Sequence, residues 1–213
     1  MSTPKLSCVA VSDTHGMYEQ VDVPNADVYI HAGDITRSGK LSEIKHFNNY
    51  LSTLPHKHKI IIAGNHDWGF ERSPDEARNL ITNGTYLEDE SVTINGFKFY
   101  GSPWQPWFLN WAFNLHRGKN ISSKWDLIEN DTDVLITHGP AFGILDRVLR
   151  GESVGCSDLL DTINKIKPKY HICGHIHEAY GTDEVDNTRF INASSCTIRY
   201  EPTNKPIEFL LER

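Results

Sequence analysis

The chain is poor in thiols that could act together. Its four cysteines, Cys8, Cys156, Cys173 and Cys196, are dispersed, with no Cys-x-x-Cys pair. Cys8 and Cys173 fall inside apolar runs, so the cysteines read as reduced core residues and not as a disulfide or zinc–thiolate framework. Positive charge is also scarce: 21 Lys and Arg stand against 28 Asp and Glu, a formal net charge of -7. Binding to a nucleic-acid backbone works by neutralising phosphates with Lys and Arg, so no extended nucleic-acid binding is expected. No apolar stretch approaches the roughly 20 residues of a membrane-spanning helix, and no membrane partner is expected. The N-terminus, Met1-Ser2-Thr3-Pro4-Lys5, passes directly into a strand pattern without an apolar signal segment, which argues for a cytoplasmic protein. Internal repeats, low-complexity segments and linkers are missing as well. With 213 residues, one domain spanning 1–213 fits best.

What the chain does have is a set of β-branched runs that stop abruptly in polar residues. Lys59-Ile60-Ile61-Ile62-Ala63 ends in Gly64-Asn65-His66-Asp67, and Cys8-Val9-Ala10-Val11-Ser12 ends in Asp13-Thr14-His15-Gly16. Val28-Tyr29-Ile30-His31-Ala32 meets Gly33-Asp34, Asp133-Val134-Leu135-Ile136-Thr137 meets His138-Gly139-Pro140, and Tyr170-His171-Ile172-Cys173 meets Gly174-His175-Ile176-His177. Buried parallel strands read as near-continuous apolar runs, and ligands gather beyond their carboxyl ends. Five strand ends therefore deliver one site.

The first half reads as strands at 6–12 and 27–32, a helix at 41–54, a strand at 59–63 and a helix at 74–82. Ser73 is the expected cap of that last helix and Pro74 its first residue. Alternating helix and strand is the signature of a layered α/β domain. After Thr85 short strands follow at 85–87, 91–94 and 97–100. Asn95-Gly96 joins the last two as a hairpin, and the section is expected to be antiparallel. Residues 101–113 hold Trp104, Trp107 and Trp111 with no clear period, and read as a long aromatic loop. Helices around 123–128 and 157–166 precede the strands into His138 and His175, and the tail is strand-like at 189–192, 197–200 and 206–211. A mixed sheet, or two stacked sheets with helices outside, accommodates this order.

Asp13, His15, Asp34, Asn65, His138, His175 and His177 are oxygen and imidazole donors at strand ends. Without thiolates, such a set suits Mn²⁺, Fe, Zn²⁺, Co²⁺ or Ni²⁺ more than Ca²⁺ or Mg²⁺ alone. Seven side chains exceed what one catalytic ion with open positions takes. Shared between two ions by a bridging carboxylate, they leave room for a water and a substrate oxygen.

In order, Asp13-x-His15, Gly33-Asp34, Gly64-Asn65-His66-Asp67, His138 and Gly174-His175-Ile176-His177 resemble the five blocks of the calcineurin-like metallophosphoesterases, and they span nearly the whole chain. The resemblance implies a four-layer α-β-β-α sandwich with two mixed β-sheets. Carried over by position, Asp13, His15, Asp34 and His177 would hold one divalent ion and Asp34, Asn65, His138 and His175 the other, Mn²⁺ being the first expectation. His66 would bind neither ion and would face the phosphate and its leaving group as the catalytic side chain. Two divalent ions, two aspartates and a bridging hydroxide sum to a charge of about +1, which draws a phosphate to the site of an acidic protein. The implied chemistry is in-line attack by the bridging hydroxide, with His66 protonating the departing oxygen.

A finer resemblance lies in Gly101-Ser102-Pro103-Trp104-Gln105-Pro106-Trp107-Phe108, Phe113-Asn114-Leu115-x-Arg117-Gly118, Thr137-His138-Gly139-Pro140, Val154-Gly155-Cys156 and Ile191-Asn192-Ala193-Ser194. These are similar to the metallophosphoesterase-domain-containing subgroup, which is associated with metal-dependent phosphodiesterase activity and nucleotide binding. The Asp-Arg-Gly of the protein serine/threonine phosphatases has no match, because Arg37 in Thr36-Arg37-Ser38-Gly39 stands one position out of place. The expected function is thus a phosphodiesterase of nucleotides or cyclic nucleotides. The rivals are a phosphomonoesterase and a nucleotide-binding module that does not turn over.

Asn65, Trp104, Trp107 and Arg117 are the candidates for substrate contacts, since the resemblance places the aromatic loop near the site mouth and aromatic faces stack on nucleobases. Core packing and an oligomer surface are the other uses of these aromatics, and a plain surface turn is the other reading of Arg117. His31 and His171, inside strands, read as packed residues or as side chains that orient a ligand by a hydrogen bond. Asp67 fits either an orienter of His66 or a cap on the turn that follows.

Overall fold

The computed structural model describes residues 4–213; the expected passage of residues 1–3 into a strand lies outside the described residues. In chain order the strands are β1 (Lys5–Val11), β2 (Val28–Ala32), β3 (His58–Ile62), β4 (Thr85–Tyr86), β5 (Glu90–Ile94), β6 (Phe97–Ser102) and β7 (Gln105–Pro106). After them come β8 (Asn114–Leu115), β9 (Val134–Thr137), β10 (Tyr170–Cys173), β11 (Gly181–Val185), β12 (Thr188–Asn192) and β13 (Ile207–Glu212). The helices are α1 (Leu41–Thr53), α2 (Trp68–Arg72), α3 (Pro74–Leu80), α4 (Lys119–Trp125) and α5 (Ser157–Ile166). One mixed sheet runs β13-β1-β2-β3-β4 and a second runs β11-β12-β10-β9-β6-β5.

The order of layers follows from alternation along the strands. Leu6, Cys8 and Ala10 of β1, Val28, Ile30 and Ala32 of β2, and Ile60 and Ile62 of β3 pack into one buried cluster with Phe97 and Phe99 of β6, Val134 and Ile136 of β9, and Ile172 of β10. Successive side chains of a strand point to opposite faces. Accordingly Val9, Tyr29 and Ile61 form a second cluster with Ile44, Phe47 and Leu51 of α1 and Ala77 of α3. Tyr100 and Leu135 form a third with Ile121 and Trp125 of α4 and Leu159 and Ile163 of α5. Two sheets thus face each other across the first cluster and each carries helices outside, which is the α-β-β-α order. All four cysteines are buried and free, and no helix among the described residues is long and apolar enough to cross a membrane.

Asn95 and Gly96 have φ of 50° and 84°, as a tight hairpin joining β5 and β6 requires. Other expectations need correction. Residues 85–87 do not belong to an antiparallel section: β4 pairs parallel with β3, Ile60 opposite Thr85. The aromatic loop is not wholly irregular, since β7 and β8 form a small parallel ribbon, Gln105 opposite Asn114. Residues 197–200 form a turn closed by the Tyr200 N–H on the Thr197 carbonyl at 2.8 Å. Ser73 precedes α3 but makes no side-chain capping bond, and the helix expected at 123–128 begins earlier, at Lys119. The five-residue α2 and the edge strand β11, whose Asp183-Glu184 is exposed, were not expected either.

Phe99 is sealed between the two sheets. Phe99→Ala leaves a cavity there and lowers stability by about 3–5 kcal/mol, read by urea unfolding at fixed metal content. A loss within about 1 kcal/mol of zero would contradict a close-packed inter-sheet core.

Candidate metal centre

Four site residues leave their strands in backbone conformations that L-residues seldom adopt. Asp13, His15, Asp34 and His175 have φ of 52°, 45°, 53° and 67°. Asp, Asn and His are the non-glycine residues that tolerate this region best, and each such turn redirects the chain at the sheet rim. The turns stay zipped together: the Asp13 N–H donates to the Gly33 carbonyl at 2.9 Å, and the His15 N–H to the Asp34 carbonyl at 3.0 Å. The Ser195 N–H donates to the Ser12 carbonyl at 2.8 Å and ties the first sheet to the second at this level. A Cβ on Gly64 would collide with Asp34, and one on Gly174 with Asp13, so both motif glycines are required by close approach.

The histidines meet the carboxylates lone pair first. His138 Nδ1 lies 3.0 Å from the Ala32 carbonyl, which only accepts, so Nδ1 carries the proton and Nε2 presents its lone pair. That atom faces Asn65 Oδ1 at 2.9 Å and Asp34 Oδ1 at 3.4 Å. His177 repeats the device: Nδ1 donates to the Thr197 carbonyl at 3.0 Å, and Nε2 faces Asp13 Oδ1 and His15 Nε2, each at 3.3 Å. The other oxygen of Asp34, Oδ2, is 3.9 Å from His15 Nε2. Acceptors pointed at acceptors in a buried site are unfavourable unless cations lie between them, whether protons or metal ions. Ligand atoms of Asp13, His15 and His177 lie within 4.8 Å of one another, as do those of Asp13, Asp34 and His138, and those of His15, Asp34 and His66. An oxygen and imidazole set of this kind fits divalent transition-metal ions.

The family model described as calcineurin-like phosphoesterase matches residues 7–179. The chain belongs to that family. It is 45% identical over 224 residues to human "Metallophosphoesterase domain-containing protein 1", covering 93% of this chain and 69% of that one. It is 40% identical over 225 residues to "UPF0046 protein K07C11.7" of Caenorhabditis elegans, covering 99% and 77%. Among solved structures, the protein TT1561 of Thermus thermophilus aligns with a TM-score of 0.60 at 12% identity over 89% of each chain. Another aligns with a TM-score of 0.70 at 15% identity, over 98% of this chain and 95% of its own. These two speak for the fold alone. Membership makes the chain a phosphoric ester hydrolase of a metal-dependent family.

Around the donors of this phosphoesterase stand further groups that brace them. Asp67 neither orients His66 nor caps α2. Its buried carboxylate accepts the N–H of Ile35 at 3.1 Å, of Thr36 at 2.8 Å and of Gly64 at 2.8 Å, and the Thr36 hydroxyl at 2.7 Å. It thereby clamps the Asp34 turn to the Gly64-Asn65 turn. Burial, then the nearby Asp34 charge, raise its pKa to about 6 against those hydrogen bonds. The Ser194 hydroxyl donates to Asp13 Oδ2 at 2.9 Å, and the Tyr200 ring lies 4.8 Å from that of His15. His66 Nδ1 donates to the Arg37 carbonyl at 3.0 Å, its ring stacks on Trp111 at 4.3 Å, and its Nε2 is 4.0 Å from Asp34 Oδ2. Nothing local in the sequence separates Trp111 from its neighbouring aromatics.

His175 stands slightly apart. Its ring lies 5.0 Å from that of His138 and its backbone N–H donates to Asp13 Oδ2 at 2.9 Å. Among the described residues its ring nitrogens join none of the close donor groups of three. Beside it opens a groove of about 440 Å³ lined by Trp107, Phe108, Arg117, Pro140, Val154 and Glu178, among others. Arg117 donates to the carbonyls of Gly155 at 2.8 Å and Val154 at 2.7 Å. Trp104 is not in the groove wall: its indole N–H donates to Asp89 at 2.9 Å and Lys124 sits over its ring at 4.5 Å.

Burial works against charge on His138, but Asp34, by charge and hydrogen bond, outweighs it and raises the pKa from 6.5 to about 9. Burial likewise opposes charge on His177, and Asp13 overcomes it to reach about 9. On His15 and His175 burial wins and the pKa falls to about 4. A histidine whose folded pKa is raised stabilises the fold fully below its unfolded pKa and loses that contribution as pH climbs through the folded value. The Tm of the metal-free protein is therefore expected to fall between pH 6.5 and about 9. Saturating Mn²⁺ flattens this window, because ions displace those protons. A metal-free Tm that stays level across it would contradict protons occupying the donor sites.

Proposed function

We propose that the chain is a phosphodiesterase that hydrolyses nucleotide or cyclic nucleotide esters at a pair of divalent transition-metal ions, Mn²⁺ in the first place. The observation that carries this reading is Asp34, whose Oδ1 faces His138 at 3.4 Å while its Oδ2 faces His15 at 3.9 Å. One carboxylate presented to two donor sets suits a bridge. Asp13, His15 and His177 would complete one position, and Asn65, His138 and His175 the other. When bound, such a pair supplies a nucleophile from water at neutral pH and positive charge against the phosphoryl oxygens.

The remaining work falls to the protein. With Nδ1 committed to the Arg37 carbonyl, His66 has only Nε2 with which to hold or give a proton, and Nε2 is its edge nearest Asp34. The protonated ring donates from this atom to the departing ester oxygen. Trp111, stacked on the imidazole at 4.3 Å, fixes the ring plane. Trp107 and Phe108 leave 52% and 57% of their surface exposed at the rim of the groove beside His175. Exposed aromatic surface gathered at a groove marks a binding site, and flat faces suit the stacking of a nucleobase.

The test is turnover by the Mn²⁺-loaded protein of an aryl phosphodiester, an aryl phosphomonoester, and 2′,3′- and 3′,5′-cyclic nucleotides. Diesters are expected to exceed the monoester. A monoester preference would make the chain a phosphomonoesterase, and no turnover with any of the transition ions would leave a nucleotide-binding module. His66→Asn is expected to keep its metal and lose about 10²–10³ in turnover. The loss is larger for a ribose leaving group than for a nitrophenolate, which departs unaided. Equal losses would remove His66 as the acid.

A further inference from the structure

We infer that His31 and His171, one in each sheet, are positioning residues that hold the two halves of the metal centre in place through an intervening threonine. Both are fully buried. They lie on the helix-facing sides of their sheets, His31 in β2 against Phe47 of α1 and His171 in β10 against Phe190 of β12. His31 Nε2 is 2.9 Å from Thr14 Oγ1, and His171 Nε2 is 2.8 Å from Thr137 Oγ1. Thr14 stands between Asp13 and His15, and Thr137 immediately precedes His138.

The direction of both bonds follows from a second partner. The Thr14 hydroxyl also reaches the Ile35 carbonyl at 3.4 Å, next to Asp34, and the Thr137 hydroxyl reaches the Gly139 carbonyl at 2.7 Å, next to His138. A carbonyl only accepts and a hydroxyl has a single proton, so each threonine donates to the carbonyl and accepts from the imidazole. Each chain therefore runs from Nε2–H to Oγ–H to a carbonyl beside a metal-centre residue. Among the described residues Nδ1 of both rings has no hydrogen-bond partner, which fits the atom left with a lone pair. Burial keeps both rings neutral, lowering each pKa from 6.5 to about 3.

Packing does not call for this arrangement. A buried imidazole with one nitrogen unpaired is worse for stability than an apolar side chain of similar size, yet two separate strands carry one. The braces match as well: Phe47 meets His31 edge-on at 5.4 Å and 77°, and Phe190 meets His171 at 5.5 Å and 81°. What the paired chains provide is a fixed turn at each end of the centre. Asp13 and His15, on either side of Thr14, both sit in the left-handed region, where an unpinned turn would relax.

The inference rests on the metal-centre reading and is tested apart from activity. The Mn²⁺ dissociation constant is measured by competition with a chromogenic chelator for His31→Leu, His31→Gln, His171→Leu and His171→Gln, beside the Tm of each metal-free protein. The Leu variants are expected to bind Mn²⁺ ~10–100-fold more weakly. The Gln variants, whose side-chain amide reaches the threonine with an N–H, are expected to recover most of the affinity. Should a Leu variant fail to fold, Thr14→Val and Thr137→Val interrupt the same chains and are expected to show the same loss. A lowered Tm with an unchanged dissociation constant overturns the inference, as does a Gln variant no better than Leu. An unmodified chain that binds no Mn²⁺ overturns the metal-centre reading itself.

Discussion

A buried carboxylate with acceptors on both sides is the constraint around which this molecule is arranged. Asp34 is 2% exposed, and among the described residues the one backbone N–H given to its carboxylate is that of His66, at 2.7 Å on Oδ1. In a site removed from water such a charge is tenable only if other charges compensate it. The rest of the fold holds the compensating groups in register. Left-handed turns at Asp13, His15, Asp34 and His175 aim side chains across the rim, motif glycines allow the backbones to approach, and Asp67 locks two of the loops together. Bonds between the sheets, Ser195 to Ser12 and His138 to Ala32, place donors from both halves around one point. The metal-free state satisfies the constraint with protons on His138 and His177, and the loaded state would satisfy it with ions. One geometry thus accounts for the raised pKa values of His138 and His177, the carboxyls of Asp13 and Asp34 held, against burial, below the usual range by those neighbouring imidazoles, and the metal dependence of the family together.

Much of this was legible because a buried parallel strand and a polar strand end leave opposite marks in sequence. Five apolar runs that break at Gly, Asp, Asn or His fixed where β1, β2, β3, β9 and β10 stop, and Asn95-Gly96 fixed a hairpin. Illegible elements were those whose reason is not local. The parallel pairing of β4 depends on α3 returning the chain beside β3. The exposed Asp183-Glu184 of β11 form strand because β12 supplies a partner edge. Residues 197–200 have β-branched composition but are needed as a turn, since the Thr197 carbonyl must receive His177. The donor side chains could be read as a set; the groups that brace them could not. Tyr200 and Trp111 reach the centre from segments without any motif, and Asp67 and Ser194, though inside motifs, act on other parts of the site, Asp67 on the backbone of another loop and Ser194 on the Asp13 carboxylate.

The aromatic segment shows how a single stretch divides its labour. Trp104 is drawn inward by Asp89 and Lys124 and steadies the outer layer. Trp107 and Phe108 remain at the groove, and Trp111 covers His66. The N–H of Ala112 on the Asn65 carbonyl at 3.2 Å and that of Phe113 on Glu71 at 2.8 Å fasten this segment to the chain between β3 and α3. The groove and His66 are thereby joined through one segment, since Trp107 and Phe108 line the first, Trp111 stacks on the second, and the segment is pinned next to Asn65. On the proposed function, such a design would place specificity in the loop and chemistry in the sheets.

The central claim is that Asp34 serves two ions at once. It is tested most directly by elemental analysis of metal bound after reconstitution with Mn²⁺, comparing the unmodified chain with Asp34→Asn across a titration. The account predicts two ions per unmodified chain and, in the variant, loss of affinity at both positions together. A variant that retains one ion at the affinity of the unmodified chain would contradict it.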